Sequence, residues 1–232
     1  MNTKIKRKVA IFDIDGTIFR SSLLIAITDA LIREKVFPAN TSRMYKKAYI
    51  KWTDRQGSYD DYIMAVVAAF MKYIKGVDFE QFSKIVKKVV AENNDKVYAY
   101  TRDLIKELKK KNYYILAISQ SPQIAVNTFC QKFGFDKTYG RMYEIDENKK
   151  FTGAVMYLDL ISDKSKILKR AVEKENLTLK GSIGVGDSEG DIALMKTVET
   201  PICFNPNKLL YDEAKRHGWK VVVERKNMIY NI

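Results

Sequence analysis

The sequence predicts an α/β protein: a mostly parallel sheet with helices on both faces, interrupted by an inserted α-helical bundle. Three observations lead there. Strand and helix patterns alternate from about residue 98 onward, the signature of a parallel sheet covered on both faces. A lone buried-strand pattern stands far upstream, at 8–13. Between the two lie four helical patterns in a row, with no strand among them.

Each element has a local reason. Residues 8–13 lie in VAIFDIDGTIF, an apolar, β-branched run that reads as a buried strand. Ser21 and Ser22 can cap a helix over about 23–36, which Phe37 and Pro38 end. Helical spacing follows at about 41–53, 58–75 and 78–93. The last opens on Asp78 with Gln81 three residues on, a start like a capping box. A helix at about 98–111 leads to a strand at 113–119, and a helix at 123–133 ends at Gly134. Residues 138–145 and 151–157 alternate like a hairpin around DENKK. Helices at about 164–176, 189–197 and 207–217 then alternate with strands at 181–187, TPICF and WKVVV.

The core is therefore discontinuous and Rossmann-like, formed by 1–18 and 97–232, with a helical cap domain over 19–96. Asp13 and Ser119, at two strand ends, are 106 positions apart, whereas a strand-helix-strand crossover takes roughly 30 residues. The surplus is too long and too regular for a loop. It predicts a helical lid over the carboxyl ends of the strands, where such sheets bind ligands.

Composition narrows the function classes. The chain has 232 residues and is 46 % hydrophobic, enough for a substantial core. Cys130 and Cys203 sit far apart in apolar settings and read as buried free thiols, which suits a reducing compartment. The longest apolar run, IMAVVAAFM, is less than half the roughly 20 residues a membrane span needs. The expectation is a soluble cytoplasmic protein with no membrane partner. The net charge of +13 suits an anionic partner: nucleic acid, a membrane surface or a phosphorylated metabolite. Its lysines are spread over helix faces, and no zinc-finger spacing or RNA-binding motif appears, so no specific nucleic acid is expected.

The strand ends carry the chemistry. The first supplies Asp13 and Asp15, the second Ser119, and the helix after the hairpin starts at Lys164. The strand GSIGVGD supplies Asp187, with Asp191 four residues on and on the same helical face. Carboxylates gathered without His or Cys suit a hard cation such as Mg2+. An ammonium and a hydroxyl nearby suit a phosphoryl group. Asp13 is the natural nucleophile, forming an aspartyl-phosphate. Asp15 is placed to protonate the leaving oxygen and then activate water. Gly16 allows a sharp turn, and Thr17 is expected to hydrogen-bond back and fix Asp15. Lys166 competes for the role of Lys164; with Asp163 as cap, Lys164 falls in the first turn facing the site. Glu189 reads as solvated. His217, at a helix end, takes no catalytic part. The calcium-loop reading of DxDG fails, because loop positions 6 and 12 would be Ile18 and Leu24.

These segments, DIDGT, ISQS, Lys164 and GVGDSEGD, resemble the four ordered motifs of the haloacid dehalogenase (HAD) superfamily. The helical insertion after the first motif is similar to the cap of its phosphoserine-phosphatase-like branch, and the likeness extends over 8 to about 223. The resemblance implies a Mg2+-dependent phosphatase of a small phosphorylated metabolite. It implies Mg2+ held by Asp13, the Asp15 backbone carbonyl and Asp187, with Asp191 in support, and phosphate held by Ser119 and Lys164. Two departures concern the substrate. Ser22 stands about where phosphoserine phosphatases carry an acidic residue, and DDYIMAVVAAF lacks their cap arginine, Arg55 being out of register. Phosphoserine phosphatase proper is thus an alternative, and a non-catalytic, nucleic-acid-associated role for the basic surface is a second. Intact Asp13, Asp15 and Lys164 argue against a relic.

Overall fold

The computed structural model describes residues 6–232; the basic start of the sequence, and with it the beginning of the expected core segment 1–18, lies outside them. Eight strands are present among the described residues: β1 (Arg7–Phe12), β2 (Tyr114–Pro122), β3 (Lys137–Ile145), β4 (Phe151–Met156), β5 (Leu177–Gly186), β6 (Thr200–Phe204), β7 (Lys220–Arg225) and β8 (Met228–Asn231). The helices are α1 (Leu23–Arg33), α2 (Arg43–Thr53), α3 (Tyr59–Ile74), α4 (Phe79–Asn93), α5 (Ala99–Lys110), α6 (Gln123–Gln131), α7 (Leu158–Ile161), α8 (Lys164–Lys174), α9 (Ile192–Met195) and α10 (Lys208–His217).

The strand order is β4-β3-β2-β1-β5-β6-β7-β8. Pairing is parallel except at β3/β4 and β7/β8. The order reverses at β1, which has β2 on one side and β5 on the other. That reversal is the topological switch point where such sheets open a crevice at their carboxyl ends. The strand ends carrying Asp13, Ser119 and Asp187 are therefore neighbours.

The chain divides into two compact units. One comprises the chain up to Arg20, Asp95–Arg141 and Tyr157–Ile232; the other comprises Ser21–Asn94 and Met142–Met156. In the first, Val9, Ile11, Leu116 and Ile118 form a core cluster with Ile167, Leu168 and Ala171 of α8. Fully burying each large aliphatic side chain contributes about 1.5–3 kcal/mol, which seats α8 firmly and fixes where its first residue, Lys164, points. A second cluster packs Leu210 and Ala214 of α10 on Cys203 and Val221. Both cysteines are buried and free.

The second unit holds α1–α4. Asp78 caps α4 by accepting from the Gln81 amide at 2.8 Å, as the sequence predicts. Ser58 starts α3 with a full capping box. Ser22 occupies the N-cap of α1 but makes no side-chain cap bond. Residues 142–156, which the sequence reading placed in the core with the rest of 97–232, group here instead. The reason is aromatic packing: Tyr143 lies 5.4 Å from Phe70 and Phe151 5.1 Å from Phe82, ring centre to ring centre.

Two further differences are local. The helix expected over 189–197 is a 3-10 turn (Glu189–Asp191) followed by the short α9. Strand β8 has no counterpart in the sequence reading. Its hairpin turns at Lys226, which adopts φ 55°, a conformation that Asn or Gly normally signals.

Candidate active site

The site is built from the DIDGT loop outward. β1 ends at Phe12, and the Asp13 amide donates to the Val185 carbonyl at 2.9 Å, extending the ladder with β5. The chain then folds back on one acceptor. The amides of Thr17, Ile18 and Phe19 all donate to the Ile14 carbonyl, at 3.3, 2.9 and 2.9 Å, and Gly16 donates to the Phe19 carbonyl at 3.0 Å. Gly16 has φ +80°, and a Cβ there would lie 2.1 Å from Asp187 Oδ2. Backbone conformation and the neighbouring carboxylate both require glycine. Thr101 Oγ1 donates to the Thr17 carbonyl at 2.9 Å and ties the loop to α5.

Asp15 is oriented by two hydroxyls. Ser119 Oγ and Ser121 Oγ donate to its Oδ2 at 2.7 and 2.8 Å. Residues two apart on a strand share a face, so the spacing in SQS contained the second serine, which the sequence reading passed over. Thr17 does not fix Asp15 as expected. Its Oγ1 donates to Asp187 Oδ1 at 3.0 Å, because the tight loop aims it across β1 toward the end of β5.

Lys164 opens α8, where Asp163 caps the helix by accepting from the Ser165 amide at 2.9 Å. Its Nζ lies 2.7 Å from Asp13 Oδ1 and 2.6 Å from Asp191 Oδ1. Lys166 is exposed and lies 3.5 Å from the Asp159 carbonyl, so it does not compete. Asp191 is wholly buried. Its Oδ2 accepts from the Asp187 and Ser188 amides at 3.1 and 3.2 Å. Gly186 makes room for it: a Cβ there would meet Asp191 Cγ at 2.3 Å. Glu189 is held by the Asn207 side-chain amide, a contact that sequence spacing does not signal.

The electrostatics follow from burial. Loss of hydration pushes Asp13 up to about 7; Lys164 opposes the shift, while Asp191 and Asp15 add to it. Asp187 is likewise pushed well up, by burial and then by Asp13 and Asp191. Burial works against the Lys164 ammonium, but Asp13 and Asp191 outweigh it and hold the group above the usual lysine range.

Oxygens of Asp13, Asp187 and Asp191 lie within 4.8 Å of one another. One ammonium does not balance three carboxylates, of which those of Asp13 and Asp191 are buried and that of Asp187 is partly so. An all-oxygen donor set with excess negative charge fits a hard dication such as Mg2+. The structure thus brings together all seven residues singled out by the sequence: Asp13, Asp15, Thr17, Ser119, Lys164, Asp187 and Asp191. The Asp15 carboxylate is turned to the serines, and Asp191 stands in the acidic cluster itself.

The haloacid dehalogenase-like hydrolase family model matches residues 10–196. A phosphoserine phosphatase of Methanocaldococcus jannaschii is 24 % identical over 210 residues, covering 90 % of this chain and 90 % of its own. A histidinol-phosphatase of Neisseria meningitidis is 23 % identical over 222 residues, covering 93 % of this chain and 98 % of its own. A solved phospho-aspartyl intermediate analogue of phosphoserine phosphatase superposes with a TM-score of 0.63 at 22 % identity, covering 95 % of each chain. The shared architecture is the α/β fold described above.

Proposed function

Because this chain belongs to the haloacid dehalogenase-like hydrolases, we propose that it is a Mg2+-dependent phosphatase that hydrolyses a small phosphorylated metabolite through an aspartyl-phosphate. The observation that carries this reading is the buried Lys164 ammonium bridging Asp13 and Asp191 with Asp187 alongside. A carboxylate nucleophile, a cation and a hard-metal donor set meet at one strand edge.

Asp13 attacks phosphorus through a side-chain oxygen. The bond from phosphorus to the ester oxygen breaks, and Asp15 gives that oxygen a proton. Asp15, now a carboxylate held by Ser121 while the single Ser119 hydroxyl proton turns to the phosphoryl group, takes a proton from water. The water oxygen attacks phosphorus, the bond to Asp13 breaks, and inorganic phosphate leaves. Ser119 and Lys164 hold the phosphoryl oxygens during both steps. Asp13, the Asp15 carbonyl and Asp187 would hold Mg2+, with Asp191 in support; the ion would neutralise charge on the phosphoryl group. Thr17 orients Asp187.

The test is p-nitrophenyl phosphate turnover by the folded full chain, with Mg2+ and with chelator. Metal-dependent release is expected; its absence removes the proposal. A panel that includes phosphoserine and histidinol phosphate, the compounds named by the two relatives, then ranks substrates by kcat/KM.

A further inference from the structure

We propose that the α2–α3 corner of the helical unit docks on an anionic bilayer surface. Helix α2, RMYKKAYIKWT, carries four cations (Arg43, Lys46, Lys47 and Lys51) and no acid. Its only buried side chain is Tyr45. At about 100° per residue, Arg43, Lys47, Ile50 and Lys51 fall on one side of the helix, opposite Tyr45 and Trp52. Met44, Tyr49 and Ile50 of α2 and Tyr59 and Met64, at and within α3, are each at least 39 % exposed. The ion pairs of this unit among the described residues are Arg33–Glu92, Lys88–Glu34 and Lys149–Glu80. None uses a cation of α2.

The same corner carries a packed aromatic cluster. Trp52 stacks on Tyr62 at 5.5 Å and 13°, and Tyr49 and Tyr59 meet these rings edge-on at 5.3 and 5.2 Å. Trp and Tyr rings suit the headgroup region, apolar at one end and hydrated at the other.

Charge selects an anionic partner, and the aliphatic residues select which kind. A nucleic acid backbone would engage the cations but gain little from Met44, Ile50 and Met64. A bilayer interface accepts both, with cations at the headgroups and aliphatic side chains at the acyl boundary. Asp54, Asp60 and Asp61 lie at the turn and the start of α3 and temper the attraction; Asp61 is engaged in the Ser58 capping box. The contact is peripheral, since no helix among the described residues is long and apolar enough to cross a membrane. It is independent of the catalytic reading.

The test is co-sedimentation of the full chain with phosphatidylcholine vesicles, with and without about 30 % phosphatidylglycerol. Binding to the anionic vesicles only, weakening with salt, is expected. The exposed double variant Lys46→Glu/Lys47→Glu should lose more than about tenfold in partition, and Met44→Ser/Ile50→Ser should lose several-fold, both with unchanged thermal melts. No binding above that to neutral vesicles overturns the proposal. So does full retention by either variant, or competition by duplex DNA that displaces the protein from vesicles at equal charge. Should a variant fail to fold, the wild-type comparison of neutral and anionic vesicles across salt still decides.

Discussion

Replacing Asp13 by Asn separates the chemical role of this carboxylate from its cost to the fold. In the metal-free protein, burial raises Asp13 from 3.8 to about 7. The folded state therefore keeps a proton that the unfolded chain releases between those values. Stability falls as pH rises from about 4 to about 7, and the penalty is complete above that. The full difference corresponds to about 4 kcal/mol, with the charge attraction to Lys164 already set against desolvation in it. Asn keeps an oxygen to accept from Lys164 at the observed 2.7 Å. Urea unfolding in chelator should show the Asn variant more stable than wild type at pH 8.5, and nearly equal at about pH 2.5, well below both values, where Asp13 is protonated in both states. Added Mg2+ should stabilise wild type more than the variant, while turnover of the variant falls at least about a thousandfold. A variant less stable than wild type at pH 8.5 in chelator would refute the reasoning, because it would mean that the Lys164 pair outweighs desolvation.

Two further outcomes follow from the geometry. Gly16→Ala forces a side chain into φ +80° and against Asp187. Left-handed strain of about 1–2 kcal/mol and loss of the Thr17–Asp187 bond, worth about 1.5–3 kcal/mol, should lower urea-measured stability by about 2.5–5 kcal/mol and raise the Mg2+ concentration needed for half-maximal rate. Unchanged metal dependence would show that Asp187 does not hold the ion. Lys164→Met leaves Asp13 and Asp191 buried without their cation. Denaturation at pH 8 should show a loss of about 3–5 kcal/mol, smaller at pH 5, where Asp13, raised by burial, holds its proton; a loss independent of pH would contradict a charge origin.

Much of this protein was legible in one dimension. The apolar run before Asp13, the helical patterns from 23 to 93 and the later strand-helix alternation are local signals, read by period and capping. The spacing of the aspartates and Lys164 after strand ends is equally local, because parallel strands deliver their carboxyl ends to one edge. What escaped depends on neighbours distant in sequence. Ser121 matters because β2 lies beside β1. Thr17 bonds Asp187 rather than Asp15 because the Ile14 carbonyl gathers the loop tightly. Residues 142–156 group with the helices because Tyr143 and Phe151 meet Phe70 and Phe82.

The sequence by itself determined the fold class, most of the order of the elements and which residue types stand at the strand ends, through periodicity, caps and residue type, all properties of short segments. Only the tertiary structure decided which carboxylate faces Lys164, which hydroxyl holds which aspartate, and how far burial drives Asp13 toward its proton. Those outcomes arise from desolvation and from contacts between residues far apart in the chain, 170 positions for Thr17 and Asp187, and such contacts exist only once the sheet has assembled.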